Sequence, residues 1–520
     1  MAHGLEADPV TVTVFLLLSV GIAGAGLIGA RWCRGDLSQL AEWGLGGRRF
    51  GTLITWFLLG GDLYTAYTFI AVPALMFGAG ATGYFAIPYG MLAYPLLFVG
   101  FARLWSVAHR HGYVTAADFV RGRFGSRSLA LAIALTGIAA TIPYIALQML
   151  GLQVVIAALG IQNLPGLSAI PNLPLLIAFT FLAFYTFSSG LRGTAVIAIA
   201  KDIMIYATVL AAVIIIPVEL GGYGKVFASV DPKQLILGHG TADNLGPGFA
   251  YSSLALGSIL ALFLYPHATT GMLSSGSRDV VERNSIILPI YSFALALIAL
   301  LGFMALAAGV KAMPEYATGF ERFGNNFAVP ALFLHMFPDW FAGIAFAAIG
   351  VGALVPAAIM SIACGNLFTR NIYREFINPD CSPQTETKVA KIVAFTAKLG
   401  ALFFVLALKS SYAIELQLLG GIWICQTVPA VLVALFTRAM HPMALLIGWA
   451  CGIAAGTAMA WSLELKSSVY VLHIFGVAVP CYAALSALAL NLTVGIVLSV
   501  VFNALSRGPR ADETVAQDYA

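Results

Sequence analysis

The chain has 520 residues, 60% of them hydrophobic and 10% charged, with mean hydropathy +0.91 and a net charge of +4. That apolar share exceeds the roughly 45–50% of soluble domains, and the basic residues are scattered at the ends of apolar runs, so the composition points to a lipid bilayer and gives no reason for a nucleic-acid partner. Cys33, Cys364, Cys381, Cys425, Cys451 and Cys481 show no CxxC spacing, which argues against both a zinc site and a disulfide framework.

Apolar runs of about 20 residues, enough to cross roughly 30 Å of hydrocarbon, predict thirteen spans near 10–30, 51–79, 83–108, 127–158, 171–190, 193–217, 246–273, 285–311, 339–369, 388–408, 412–437, 441–461 and 478–504. The first follows Glu6 and Asp8 and lacks a basic flank, so it reads as a retained helix and not a signal peptide. Alternate connections carry Arg31, Arg34, Arg48 and Arg49, then Arg110, Arg121, Arg123 and Arg127, then Arg278 and Arg283, then Arg370, Arg374, Lys388 and Lys391, then Arg438, and the tail adds Arg507 and Arg510. Positive charge is retained on the cytoplasmic side. The expectation is therefore a multi-pass protein of the cell (inner) membrane with its N-terminus outside and its C-terminus inside, which needs an odd span count.

The second span contains "GGDLYTAYTF", residues 60–69. Gly60 and Gly61 weaken a helix, and Asp62 at bilayer depth is costly unless it faces protein, water or an ion. The helix is expected to unwind there, which is tolerated at the midplane only where the freed backbone lines a cavity. The opposing reading is a glycine-packed helix with Asp62 bonded to a neighbour; the coincidence with Tyr64, Thr65, Tyr67 and Thr68 favours a site. The fourth span places Tyr144 and Gln148 one turn apart, facing either the cavity or a neighbouring helix. Lys201 and Asp202, at the start of the sixth span, read more readily as a helix-end ion pair than as transport chemistry. In the seventh span "LYPHATTG" brings Pro266, which lacks a backbone donor, and the titratable His267.

Both interruptions occupy comparable places. The chain divides into 1–50, an extra helix and cytoplasmic loop; 51–217, a five-helix unit; 218–245, an extracytoplasmic loop; 246–437, a second five-helix unit; 438–504, two more helices; and 505–520, a polar cytoplasmic tail read as disordered. Each unit begins with its broken helix, and because five is odd the second enters the membrane from the opposite side. The predicted fold is an all-α integral membrane protein, an inverted repeat with the site between the two breaks.

Six pieces of sequence, "GGDLYTAYTFIAVPALMFGAG", "HGYVTAADFVRGRFG", "IPYIALQMLGLQ", "SSGLRGTAVIAIAKDIMIY", "LYPHATTGMLSSGSRDVVERNS" and "AAIMSIACGNLFTRNIYREF", resemble the sodium:solute symporter family in matching order over about residues 40–440. With the lead-in "EWGLGGRRFG" they look most like its monocarboxylate permeases. The resemblance implies a ten-helix inverted repeat with one helix before it and two after. It places Asp62 at the cation site, with the carbonyls of Gly60 and Leu63. The family's pair of hydroxyl residues in the ninth span falls on Ser361 and Ile362 by one alignment and on Val355 and Pro356 by another, so it is depleted either way.

A small monoanion suits the broken-helix amide groups together with Thr65, Thr68, Tyr64 and Tyr67, no lysine or arginine being evident at the midplane. The reading is a symporter importing small monocarboxylates such as lactate or pyruvate with a monovalent cation, Na+ by resemblance; the alternative is a proton-coupled or uncoupled transporter of another small organic solute, an amino acid or acetate. Cation contacts fall to Gly60, Asp62, Leu63 and Ser361, and substrate contacts to Tyr64, Thr65, Tyr67, Thr68, Tyr144, Gln148, Pro266 and His267. No organic cofactor is implied, and the partners are the organic acid and the bilayer; nothing in the sequence speaks to the oligomeric state. A channel would show polar faces along several spans, an enzyme clustered His, Glu or Asp, a primary pump a GxxxxGK[ST] loop and a sensor an appended soluble domain.

Overall fold

A computed structural model describes residues 6–29, 31, 35–164, 170, 172–407, 413–505 and 511–520, with the side chains of Leu63 and Ala413 excepted. Cys33, Arg34, Arg507 and Arg510 lie outside the described residues. The main helices are α1 (Pro9–Gly29), α2 (Thr52–Leu63), α3 (Val72–Ala79), α4 (Ala116–Phe124), α5 (Arg127–Ala158), α6 (Leu173–Glu219), α7 (Gly246–Leu262), α8 (Pro266–Leu273), α9 (Arg278–Ala307), α10 (Asp339–Phe368), α11 (Pro383–Ala407), α12 (Ala413–Ile424), α13 (Pro442–Ser462) and α14 (Ala483–Leu505). Among the described residues ten helices are long and apolar enough to cross a membrane, or eleven if the bent pair α7 and α8 is one span.

Two of these are long enough to cross a bilayer twice. Tyr67–His111 has 45 residues and α6 has 47, each about 70 Å at 1.5 Å per residue. A glycine of positive φ breaks each of them, Gly80 at 64° and Gly190 at 58°. Thirteen crossings result if each crosses twice, turning at that glycine. At Gly190 a side chain is also excluded by space, since a Cβ would lie 2.6 Å from the Trp43 carbonyl oxygen.

Helix α10 is the centre of the bundle, packed by α1, α5, α6 and α11. Its sequence explains this: small residues recur along it, and an added Cβ would meet the Thr11 carbonyl at 2.7 Å from Gly343 and the Ala390 carbonyl at 2.5 Å from Gly365. Small residues let helix backbones approach closely where apolar burial itself gives no drive between helices in lipid. Large apolar side chains such as Leu17, Phe184, Ile214, Ile290, Phe403 and Val500 are exposed on the outside of the bundle, where the lipid would cover them.

The sequence expectations need two corrections here. The last span begins at Ala483 and not near 478, because Val477–Tyr482 is a strand paired antiparallel with Val469–Ile474. The β-branched residues and the turn at Phe475 and Gly476, both of positive φ, favour a hairpin over a helix. The second correction concerns the tail. Residues 511–520 dock against the arginine-bearing face: Asp512 pairs with the buried Arg123, the Glu513 amide donates to the Gly122 carbonyl at 2.9 Å, and Asp518 meets Arg110 at 3.1 Å and His111 at 2.9 Å. Arg278 donates to the Tyr519 carbonyl at 3.1 Å, and Tyr519 is buried. A short polar segment is ordered here because its carboxylates find cations from two separate connections, Arg110, His111 and Arg123 in one and Arg438, 3.8 Å from Asp512, in the other.

Candidate functional site between two broken helices

Helix α2 stops at Leu63, and the chain resumes as a π turn over Tyr67–Ala71 before α3. Between them Tyr64 sits at φ −87° and ψ 89°, outside helical space. The freed amide groups are capped by side chains. Thr65 N–H donates to Thr68 Oγ1 at 2.9 Å, Ala66 N–H to Gln148 Oε1 at 3.0 Å, and Tyr67 N–H to Thr65 Oγ1 at 2.9 Å. This corrects the expectation that those amides wait for a substrate anion: buried N–H groups must be satisfied, and the local sequence does so. Gln148 is therefore a capping residue on α5, and Gly151 one turn later leaves room for the break, since a Cβ there would lie 2.2 Å from that of Ala66.

The second break brings its own groups to the same place. Helices α7 and α8 meet at 46°, with Pro266 at the first position of α8, where its missing N–H costs nothing. Its neighbour His267 places Nε2 at 3.3 Å from Asp62 Oδ2. Both residues are nearly inaccessible, at 2% and 7% exposure. Tyr144 and Tyr265 flank the imidazole with ring centroids at 5.3 Å. The expected meeting of the two breaks is thus present, and it is bridged by a carboxylate and an imidazole.

Not every polar group here is committed. Asp62 Oδ1 and His267 Nδ1 are buried without a hydrogen-bond partner among the described residues. Unsatisfied buried polar atoms are costly in a folded protein, and these two, on residues that face each other across the breaks, make the junction a candidate place for a ligand. By contrast the Tyr64 hydroxyl donates to the Tyr291 carbonyl and the Thr68 hydroxyl to the Thr65 carbonyl, so these two side chains hold the break together.

The charged pair read as a helix end is something else. Lys201 and Asp202 lie well inside α6, both at 0% exposure, 3.0 Å apart. The Lys201 ammonium donates to the carbonyl of Gly61 and, at 3.2 Å, to that of Tyr64. These are the carbonyls one residue beyond Gly60 and Leu63, the pair expected to face a cation, and the Gly60 carbonyl instead accepts the Tyr64 N–H at 3.3 Å. Lys201 is a functional candidate that the sequence reading set aside. The signal was present: counted from residue 193 it lies about 12 Å into its span, at 1.5 Å per residue, too deep for an interfacial lysine.

Helix α10 faces this break through Gly352, where an added Cβ would sit 3.7 Å from the Tyr64 carbonyl oxygen. Val355 and Pro356 follow one turn later on the same face. Ser361 lies nine residues beyond Gly352, about 13 Å along the helix axis, and its hydroxyl donates to the Ala358 carbonyl at 2.8 Å. No hydroxyl side chain occurs between Gly352 and Met360.

The other recurring sequence pieces hold this geometry from outside. In "TAADFVRGRFG", Thr115 and Asp118 form a reciprocal cap on α4, and Asn371 of "FTRNIYREF" bonds both, at 2.8 and 2.7 Å. In "EWGLGGRRFG", Glu42 pairs with Arg192 of "SSGLRG" at 3.2 Å, and Phe50 exchanges backbone hydrogen bonds with Ser274 and Gly276 beyond α8.

Comparison with known proteins agrees with this arrangement. The sequence model of the sodium:solute symporter family matches residues 43–452. A monocarboxylate transport permease protein of Rhizobium johnstonii is 47% identical over 501 residues, covering 96% of this chain and 98% of the relative. The uncharacterized symporter YodF of Bacillus subtilis is 33% identical over 475 residues, covering 89% and 88%. A solved structure of a Na+-coupled sialic acid symporter in a substrate-bound outward-open state superposes with a TM-score of 0.72 at 16% identity, covering 95% of this chain and 98% of that one, which speaks for the fold.

Proposed function

Because the chain belongs to the sodium:solute symporter family, we propose that it imports small monocarboxylates such as lactate or pyruvate together with a monovalent cation, through the junction of its two broken helices. The observation that carries this reading is the pair of Asp62 and His267, one from each broken helix, enclosed and with one unpartnered polar atom on each. With Nε2 on Asp62, the doubly protonated ring of His267 can donate from Nδ1 to a single carboxylate, and Tyr67 in the adjoining π turn is a second candidate donor. A dianion or a sugar would need more donors than converge there. The Rhizobium relative's description supports the same solute class. Gly60, Asp62 and Leu63 lie on the cation side, and Tyr144 beside His267 closes the solute side with its ring; Ser361 lies about two and a half turns beyond Gly352 along α10, its hydroxyl on the Ala358 carbonyl.

The family's name and that of the sialic acid symporter speak for sodium. A proton in its place is the second reading, favoured by the lysine at the first break. The basic connections support a multi-pass protein of the cell membrane with the docked tail in the cytoplasm. Purified protein in liposomes is expected to show saturable counterflow of labelled lactate or pyruvate, with sugars and proline competing weakly. Strong competition by proline or a sugar without lactate exchange would move the solute assignment elsewhere in the family.

A further inference from the structure

We propose that the ammonium group of Lys201 is the resident cation of the first break, that it excludes sodium from those carbonyls while protonated, and that its proton is the coupling ion. The proposal rests on the reading of this chain as a solute symporter and concerns which cation drives it.

Three observations converge. The amine binds two backbone carbonyls, those of Gly61 and Tyr64, that are free to accept it because the helix is broken at that point. Asp202, at 3.0 Å and fully buried, supplies the counter-charge. On the opposite wall, the stretch of α10 from Gly352 to Met360 offers no side-chain hydroxyl. A sodium ion takes several oxygens at once and would have to sit beside a like charge, with two backbone carbonyls already accepting from the ammonium. A lysine needs only placed acceptors and one counter-ion, and both are present. The fit is also tight. A Cβ on Gly61 would lie 3.0 Å from Lys201 Nζ and 3.0 Å from Asp202 Oδ2, so the bare glycine is what lets the pair reach the backbone.

The titratable and charged groups around the amine are Asp202 and Tyr206 on its own helix, Asp62 at the end of α2 with His267 of α8 beyond it, Tyr64 in the break and Tyr291 on α9. Helix α1 and residues 350–361 of α10, which pack on the same helix, carry none. Helix α11 brings Lys391 to the same helix at the level of Phe187, with its amine 5.0 Å from that ring's centroid. The chemical step is a proton transfer alone. On the side where the carbonyls part from it, R–NH3+ gives H+ to water and becomes R–NH2; on the other side the amine takes H+ from water, and the carbonyls and Asp202 receive it again. Charge moves with the proton, and no other reactant is needed.

The test uses the full chain. In detergent, the thermal midpoint of wild type, Lys201→Met and Lys201→Ala is measured in sodium chloride and in choline chloride of equal ionic strength. Wild type is expected to show the same midpoint in both, whereas Lys201→Ala, with the carbonyls released, gains a sodium-dependent rise, as ligand binding to the folded state requires. In liposomes, wild type is expected to accumulate labelled solute under an inward proton gradient without sodium, and Lys201→Met to lose that accumulation. A sodium-dependent rise in the wild-type midpoint, or accumulation by wild type under a sodium gradient alone, overturns the proposal. If neither variant folds, these two wild-type results still decide. If lactate shows no counterflow at all, the solute reading fails, while the sodium comparison in detergent judges the lysine independently.

Discussion

Replacing Asp62 by asparagine keeps the size and shape of the side chain and removes one charge. In the structure that charge faces His267 Nε2 at 3.3 Å, inside a junction where neither residue meets solvent appreciably. A hydrogen bond to a charged group contributes roughly 1.5–3 kcal/mol. Charge-assisted pairs of full strength are shorter, about 2.7–2.9 Å, so the lower end applies here, about 1.5–2 kcal/mol. At about 1.4 kcal/mol per factor of ten, this corresponds to a loss of roughly 10- to 30-fold in transport kcat/KM. The assay is the initial rate of labelled lactate uptake into liposomes carrying equal amounts of folded Asp62→Asn, His267→Gln, the double variant and wild type. If carboxylate and imidazole act as one unit, each single change costs about the same, and the double variant costs little more than either. Wild-type uptake by Asp62→Asn would show that the carboxylate is structural. Full additivity in the double variant would show that the 3.3 Å contact carries no function.

Two further outcomes follow from the packing. Gly60→Ala puts a Cβ 2.7 Å from the ring of Tyr291, which Tyr64 at 4.4 Å and Trp56 at 4.9 Å hold in place; overpacking of about 1–3 kcal/mol outweighs the gain of up to about 1 kcal/mol in helix propensity, so the thermal midpoint is expected to fall, and a rise would show that the ring can yield. At the tail, the His111 hydrogen bond, helped by the Val515 amide and Arg110, lowers the Asp518 carboxyl from its ordinary value to about 2. Because the docked value lies below the undocked one, the carboxylate's contribution to docking is complete above about pH 4 and is lost as the pH falls toward 2. Amide exchange over residues 511–520, corrected for intrinsic rates, is expected to quicken across that range in wild type and to be fast already at pH 7 in Asp518→Asn; equal protection in both would place the docking energy elsewhere.

Local sequence was enough for several features. Apolar runs of bilayer length located the apolar helices to within about seven residues at their ends, since in hydrocarbon the backbone must satisfy itself within each span. The two breaks were legible to within a turn: Gly60, Gly61 and Asp62, where unwinding was expected, stay helical and the chain leaves the helix just after them at Tyr64, while Pro266 opens α8. The hairpin at 469–482 was missed because its alternation was absorbed into an apolar run, and the tail was misread because the nearest cations to Asp512 and Asp518 come from residues more than three hundred positions away.

What the residue types could not convey was which groups meet. Thr65 and Thr68 look like ligands in sequence and are caps in the structure, because freed amides compete for the nearest acceptors. Gln148 could have faced a cavity or a helix and is committed to Ala66. Lys201 was visible as a charge in an apolar stretch, yet its role depends on a contact with Gly61 across 140 positions of chain. Hydropathy, glycine and proline act locally and so can be read from order alone. Side-chain pairing across helices is fixed by how small residues on α10 and α5 let the helices approach, and that closeness exists only once the bundle is assembled.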